Sequence, residues 1–286
     1  MSQAQRIDLH LHTTHSDGSL SPRAVLELAQ KAGVIALAIT DHDITTALPE
    51  ATLAGAELGI EVIPGVEISS RFGDAELHIL GYCFDWQDPT LTKRLAQLRE
   101  SRHTRNPQIV RKLNALGYEL SYDDVLRLAG TESVGRPHIA RLLVDKGYVT
   151  SAKEAFDRFL ANGKPAYVPR ELPDPSTAIQ WIRDAGGVPV LAHPTWAPVS
   201  GAELSHLCRE LKAVGLGGIE ALYSTHKPKQ TGEFLALAKA LDLLPTGGSD
   251  FHGAAKPDID VGVGRGDLKV PTKLLDPLRA AAGRGH

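Results

Sequence analysis

Short apolar runs of strand character alternate with segments of helical periodicity, and every run carries a histidine or a carboxylate within it, at its end or just beyond it. The runs cover residues 6–12, 36–41, 61–69, 76–83, 188–193, 218–223 and 244–249. Strands separated by helices argue for an α/β fold whose strand ends converge on one face, so that residues distant in sequence share one pocket. The seven strands are expected to be parallel or nearly so. Ser21-Pro22 offers a cap and a first helical turn, Gly33 ends that helix, and a second helix runs to Gly59. Later helices are expected at 176–185, 201–214 and 228–241.

After Trp86 the alternation stops. Residues 91–117, 122–129, 136–147 and 151–161 read as helices only, which predicts a small helical insertion over 90–167 and leaves 1–89 and 168–286 to form the strand–helix body. With 286 residues and 42% hydrophobic content the chain can bury a large core. Its formal charge of −3 and pI near 6.5 exclude a protein that coats nucleic acid nonspecifically, so any selectivity for anions must be local. Cys83 and Cys208 lack metal or disulfide spacing and read as reduced thiols of a cytoplasmic protein. Residues 1–6 carry no apolar signal, and no run matches a membrane span, so neither secretion nor a membrane partner is expected.

Imidazole and carboxylate oxygen are the donors divalent metals take, and this chain carries more of them at strand ends than one ion needs. His10 and His12 alternate with leucines, so both rings face one side of a strand. Asp17 is preferred over His15 as the donor of the following loop. His42 is read as a donor with Asp41 supporting it, and Glu67 as a bridging carboxylate at the end of its run. His78 lies inside an apolar strand, while His193, Asp250 and His252 follow strands whose exits are shaped by proline or glycine. Glu220 lies within a strand and is a further residue able to face the site, whereas His206 reads as surface.

The segments Asp8-Leu9-His10-Leu11-His12-Thr13 with Ser16-Asp17-Gly18, Ile39-Thr40-Asp41-His42-Asp43, Pro64-Gly65-Val66-Glu67, Ala192-His193-Pro194 and Gly248-Ser249-Asp250-Phe251-His252 together resemble the polymerase and histidinol phosphatase (PHP) family. The resemblance implies a distorted (β/α)7 barrel with up to three divalent ions; nitrogen and oxygen donors without a thiolate accommodate two or three ions of manganese, the preferred metal, or of iron or zinc. By it, His10, His12, Glu67 and Asp250 hold one ion, Glu67, His78 and His193 a second, and Asp17, His42 and His252 a third. Ser133 to Ala140 and Gly163 to Pro169 look like the small phosphoesterases that act on nucleoside 3′,5′-bisphosphates and on short 5′-phosphorylated RNA.

The expected activity is therefore hydrolysis of the 3′-phosphate of a nucleoside 3′,5′-bisphosphate, with 5′–3′ exonuclease action on short RNA as the same bond chemistry. Attack is expected from a water activated between two ions. Arg136, with its planar fork at a helix start, is expected to grip a phosphate. His226 is expected to protonate the leaving oxygen or bind phosphate, and Lys164 and Tyr167 to reach the substrate from the insertion. The basic residues Lys93, Arg94, Arg99, Arg102, Arg105, Arg111 and Lys112 read as a solvated face, with steering of an oligonucleotide as the other option. Histidinol phosphate hydrolysis is the competing enzyme reading, and a metal-stabilised regulatory scaffold the competing non-enzyme one. No obligate protein partner is indicated.

Overall fold

The computed structural model describes residues 5–282; residues 1–4, the start of the segment read as lacking an apolar signal, lie outside them. Seven strands form one sheet in chain order: β1 (Arg6–Leu11), β2 (Val34–Ile39), β3 (Glu61–Phe72), β4 (Ala75–Tyr82), β5 (Val188–Leu191), β6 (Gly218–Tyr223) and β7 (Leu244–Gly248). The chain beyond β7 returns to the end of β1. The Asp250 N–H donates to the His10 carbonyl at 2.8 Å and the His12 N–H to the Phe251 carbonyl at 3.0 Å, which curls the sheet into a nearly closed, distorted barrel. Gly248 permits this approach, because a Cβ there would lie 2.4 Å from the His10 backbone nitrogen.

The expectation of parallel strands fails at β4, which runs antiparallel to both β3 and β5. Only Gly73 and Asp74 separate β3 from β4, and two residues can join antiparallel neighbours but not parallel ones, which need a long crossover. Two consequences follow for the site. Glu67 stands inside a strand that continues to Phe72, not at its end, and β4 presents its first half to the barrel mouth, which is where His78 lies.

The helices are α1 (Pro22–Lys31), α2 (Leu48–Leu58), α3 (Pro89–Ala115), α4 (Tyr122–Ala129), α5 (Arg136–Asp145), α6 (Ala152–Ala155), α7 (Pro175–Asp184), α8 (Gly201–Ala213), α9 (Pro228–Ala240) and α10 (Leu275–Ala281). Ser21 caps α1 by accepting from the Ala24 N–H. Where one helix was expected over 151–161, α6 passes directly into a π-helical turn, Phe156–Leu160. The alternation read from sequence ends at Ser249; beyond it the structure adds α10, whose Leu275 and Leu278 share a buried cluster with Ile7, Leu9 and Val190.

Helix α3 belongs to two cores. Leu91, Leu95 and Leu98 join the large apolar cluster of the barrel and its helices, whereas Ile109, Val110 and Leu113 pack in a separate cluster with Val125, Ile139, Leu143 and Leu160. Pro107, which cannot donate a backbone hydrogen bond, lies between the two halves. No helix among the described residues is long and apolar enough to cross a membrane.

Candidate metal centre

Glu67 is the hub of the barrel mouth. Its Oε1 lies 2.7 Å from His78 Nδ1 and 2.9 Å from His193 Nε2, and its Oε2 lies 3.2 Å from both His12 Nε2 and His42 Nδ1 and 3.3 Å from His10 Nε2. Asp250 Oδ1 approaches His12 Nε2 at 3.3 Å, and Asp17 Oδ1 approaches His252 Nε2 at 3.2 Å. All nine residues singled out in the sequence therefore meet in one place. Donor atoms fall within 4.8 Å of one another in three overlapping groups: His12, Asp17, His42 and His252; His10, His12 and Glu67; and His42, Glu67 and His78.

These residues fit divalent ions on the chemistry of the donors and on their bonding. His12 Nε2 and His42 Nδ1 are buried without a hydrogen-bond partner, an arrangement that costs free energy and that a bound cation would relieve. Six imidazoles and three carboxylates without a thiolate suit manganese, iron or zinc. The backbone is constrained here as well, since His193 (φ 25°), Asp250 (φ 57°) and the neighbouring Asp43 (φ 57°) adopt left-handed conformations that non-glycine residues seldom take.

The charge balance points the same way. Burial alone would raise Asp17, Glu67 and Asp250, but the surrounding imidazoles, with Lys256 at Asp250, hold all three well below the ordinary carboxylate range. Burial would likewise discharge His12, yet its contacts with Asp250 and Glu67 lift it to about 9. His42 goes the other way: burial, helped by the neighbouring His12 and His78 rings, drives it down to about 3 despite Glu67 and Asp17. Three anions thus attract positive charge that six crowded rings cannot all carry as protons.

Other side chains hold the donors in place. Glu220, fully buried on β6, accepts from His10 Nδ1 at 2.9 Å and from the His193 N–H at 2.7 Å, which leaves the His10 Nε2 lone pair on the side facing Glu67, available to a metal ion. Asp41 accepts from Thr13 N–H and Oγ and from Ser16 Oγ, bracing the first loop as a supporting residue. That loop carries Asp17 into the cluster and turns His15 away, onto Thr46 Oγ1 at 2.7 Å. Asp8 accepts from the N–H groups of Ser249 and Gly262, tying the strand that carries His10 to the one that leads into Asp250.

Two neighbours of Asp250 escaped the sequence reading: Tyr223, whose hydroxyl donates to Oδ2 at 2.6 Å, and Lys256, which bonds the same oxygen. A register shift between Glu220 and Leu222 defeats the strict alternation that would have located Tyr223, and Lys256 lies in a loop with no periodic signal.

The remaining expected residues are distributed unevenly. Arg136 pairs with Glu76 at 2.9 Å and lies over the rings of Phe156 and Tyr167. Tyr167 is half-buried, and its carbonyl accepts from Lys112. Lys164 is exposed in a turn whose Asn162 reaches the Asp74 carbonyl at the β3–β4 hairpin. His226 donates from Nδ1 to the Ala221 carbonyl at 3.1 Å, so its buried Nε2, which has no partner, presents a lone pair, and burial lowers its basicity. His206 is surface, paired with Glu210.

The basic stretch of α3 is the expected solvated face only in part: Lys93, Arg111 and Lys112 are exposed, but two of its arginines are not. Arg102 and Arg105 are buried, and with Arg136 and Arg170 they form a seam between insertion and barrel. Asp43 accepts from Arg102 at 2.6 Å and lies 3.4 Å from Arg170, while Glu76 serves Arg136 and, at 4.0 Å, Arg105. Arg105 otherwise bonds only the side chain of Asn106, and burial among three other guanidiniums holds it well below its ordinary basicity. Four cations share two carboxylates. The seam begins one strand step from the mouth on both β3 (Ser69 after Glu67) and β4 (Glu76 before His78), about 6.6 Å along each strand.

Comparison with known proteins agrees with this geometry. The PHP domain model matches residues 8–161. The chain is 39% identical over 248 residues to a 5′-3′ exoribonuclease of Haemophilus influenzae, covering 87% of this chain and 90% of that one. It is 36% identical over 257 residues to a 3′,5′-nucleoside bisphosphate phosphatase of Chromobacterium violaceum, covering 90% of each. A crystal structure from Bifidobacterium adolescentis, described as a metal-dependent phosphoesterase, superposes with a TM-score of 0.88 at 32% identity over 98% of this chain and 97% of that one. With a barrel of this topology, a mouth lined by these nine residues and relatives of this similarity along most of its length, the chain belongs to the PHP domain family and is a phosphoric ester hydrolase.

Proposed function

We propose that the protein removes the 3′-phosphate from nucleoside 3′,5′-bisphosphates, adenosine 3′,5′-bisphosphate among them, and by the same chemistry releases nucleotides from short 5′-phosphorylated RNA. The observation that carries this reading is the excess of buried guanidinium one strand step from the donor cluster. A substrate with two phosphates separated by one ribose can place one in the mouth and the other against Arg136 and Arg105, where the two missing negative charges would be supplied. The names of the two relatives support the same substrate class.

His10, His12, Glu67 and Asp250 would hold one divalent ion, Glu67, His78 and His193 a second, and Asp17, His42 and His252 a third, with manganese the preferred metal. Bound there, the ions would supply an activated water and neutralise charge on the phosphate. Glu220 and Asp41 keep the donors oriented, the seam fixes the second phosphate, and Arg136 gives up part of its bond to Glu76 to receive it. His226 is set to accept a hydrogen bond from the substrate at Nε2, since burial disfavours the protonated form that a proton donor needs. Tyr167 packs Arg136 in place, and Lys164 borders the opening from the insertion side.

Histidinol phosphate suits the seam poorly, because its ammonium group would meet four arginines. The test is phosphate release by manganese-loaded protein from adenosine 3′,5′-bisphosphate, adenosine 3′-monophosphate and histidinol phosphate. The bisphosphate should lead by about 100-fold in kcat/KM, the scale of a lost charge-assisted anchor. Arg136→Ala should erase most of that lead. Equal rates on the two adenosine substrates would refute the reading.

A further inference from the structure

Among the described residues the exposed large apolar side chains are Leu28, Leu53, Leu116, Leu126, Val214, Leu235 and Trp196. Six lie on the helices or at their C-terminal caps, where single exposed aliphatics are ordinary. Trp196 differs. It sits in the short 3₁₀ turn Pro194–Trp196 that leaves β5, immediately after the metal-donor candidate His193, and it is 53% exposed. Its indole lies 4.5 Å from the His193 ring, meets Tyr223 edge-on at 6.0 Å and has the Lys256 ammonium 5.5 Å from its centre. His193 Nε2 in turn touches Glu67, so one imidazole separates this indole from the hub of the mouth. The residue is thus held by three partners of the site while more than half of it faces solvent.

We propose that Trp196 is the platform on which the nucleobase of the substrate stacks, on the part of the indole that His193 and the Lys256 ammonium over its ring leave open to solvent. The proposal rests on the nucleotide reading above and deepens it. A phosphate gripped near His193 and Glu67 leaves the attached nucleoside to exit beside them, and Trp196 is the aromatic surface there that is both anchored and open. Every base has a π-face, so an indole platform binds bases without hydrogen-bond readout. Purines should be favoured modestly over pyrimidines through larger overlap, with no strict choice of base.

The experiment compares wild type, Trp196→Ala and Trp196→Phe on adenosine 3′,5′-bisphosphate and on ribose 3,5-bisphosphate, which keeps both phosphates but lacks the base. Trp196→Ala should lose about ten-fold in kcat/KM on the nucleotide, mainly through KM, and far less on the sugar, while Trp196→Phe keeps most of the nucleotide rate. An equal loss on both substrates, or none on the nucleotide, overturns the proposal. Calorimetric binding of adenosine 5′-monophosphate and ribose 5-phosphate to the same metal-loaded proteins separates this inference from the reading it rests on. If wild type hydrolyses neither bisphosphate yet binds the nucleotide more tightly than the sugar phosphate, and Trp196→Ala removes that difference, the phosphatase reading falls and the base subsite stands. If wild type shows no such difference, or Trp196→Ala retains it, the subsite falls.

Discussion

At the barrel mouth, Glu67 stands among five imidazoles; at the seam one strand step away, Asp43 and Glu76 stand among four guanidiniums. Both regions bury charge, yet they differ in what completes them. Imidazoles can give up protons, so the mouth can present lone pairs to cations. Guanidiniums do not deprotonate, so the seam keeps its excess positive charge, which an anion would balance. The pairing suits a molecule that is a phosphate ester at one end and a phosphate anchor at the other. It also explains a division of labour in the fold: the mouth is built by barrel strands and the loops that follow them, whereas the seam needs α3, α5 and Arg170 to close over β3 and β4.

The comparison can be broken at its hub. Glu67→Gln removes the carboxylate shared by five rings and should lower kcat by about three orders of magnitude, roughly 4 kcal/mol, while metal analysis shows at least one ion fewer per chain. Full activity with an unchanged metal content would mean that the mouth does not work as a cation site. At the seam the corresponding change is Asp43→Asn. It leaves Arg102 and Arg170 without their shared anion and should cost about 3 kcal/mol, lowering Tm by on the order of 6–10 °C. Inorganic phosphate should recover part of that loss by supplying charge; a Tm indifferent to both the substitution and phosphate would show that the arginines are already balanced.

A smaller effect sharpens the contrast between donors and the groups that aim them. Glu220→Gln keeps the shape of the side chain but weakens its hold on His10 Nδ1 and on the His193 backbone, and should reduce metal affinity by about 10–100-fold, measured by competition with a chelating dye. If affinity stays at the wild-type value, Glu220 serves packing alone.

The mouth was legible in the sequence because its donors sit on strands and strand exits, where period-two alternation and glycine or proline mark the positions. His10 and His12 could be assigned to one face from Leu9 and Leu11 alone. The direction of β4 was less legible, since a strand reads the same in either direction and only the two-residue Gly73-Asp74 link signals a hairpin. The seam was hidden because α3 carries charge around much of its circumference; nothing local distinguishes Arg102 and Arg105, which are buried, from Arg111, which is exposed. Trp196 was equally silent, since exposure beside a metal donor is not a property of a tripeptide.

What the amino-acid order determined by itself is the alternation of strands and helices, the interruption of that alternation by a helical segment, and the identity of the histidines and carboxylates that meet at the barrel mouth. Backbone periodicity and donor chemistry are local, and each can be read within a few residues. What only the tertiary structure decided is which charges are left unbalanced when distant segments close on one another: the pairing of Asp43 with Arg102 and Arg170, of Glu76 with Arg136, and of Glu220 with His10. Electrostatic balance depends on distance and burial, and neither exists until the chain has folded.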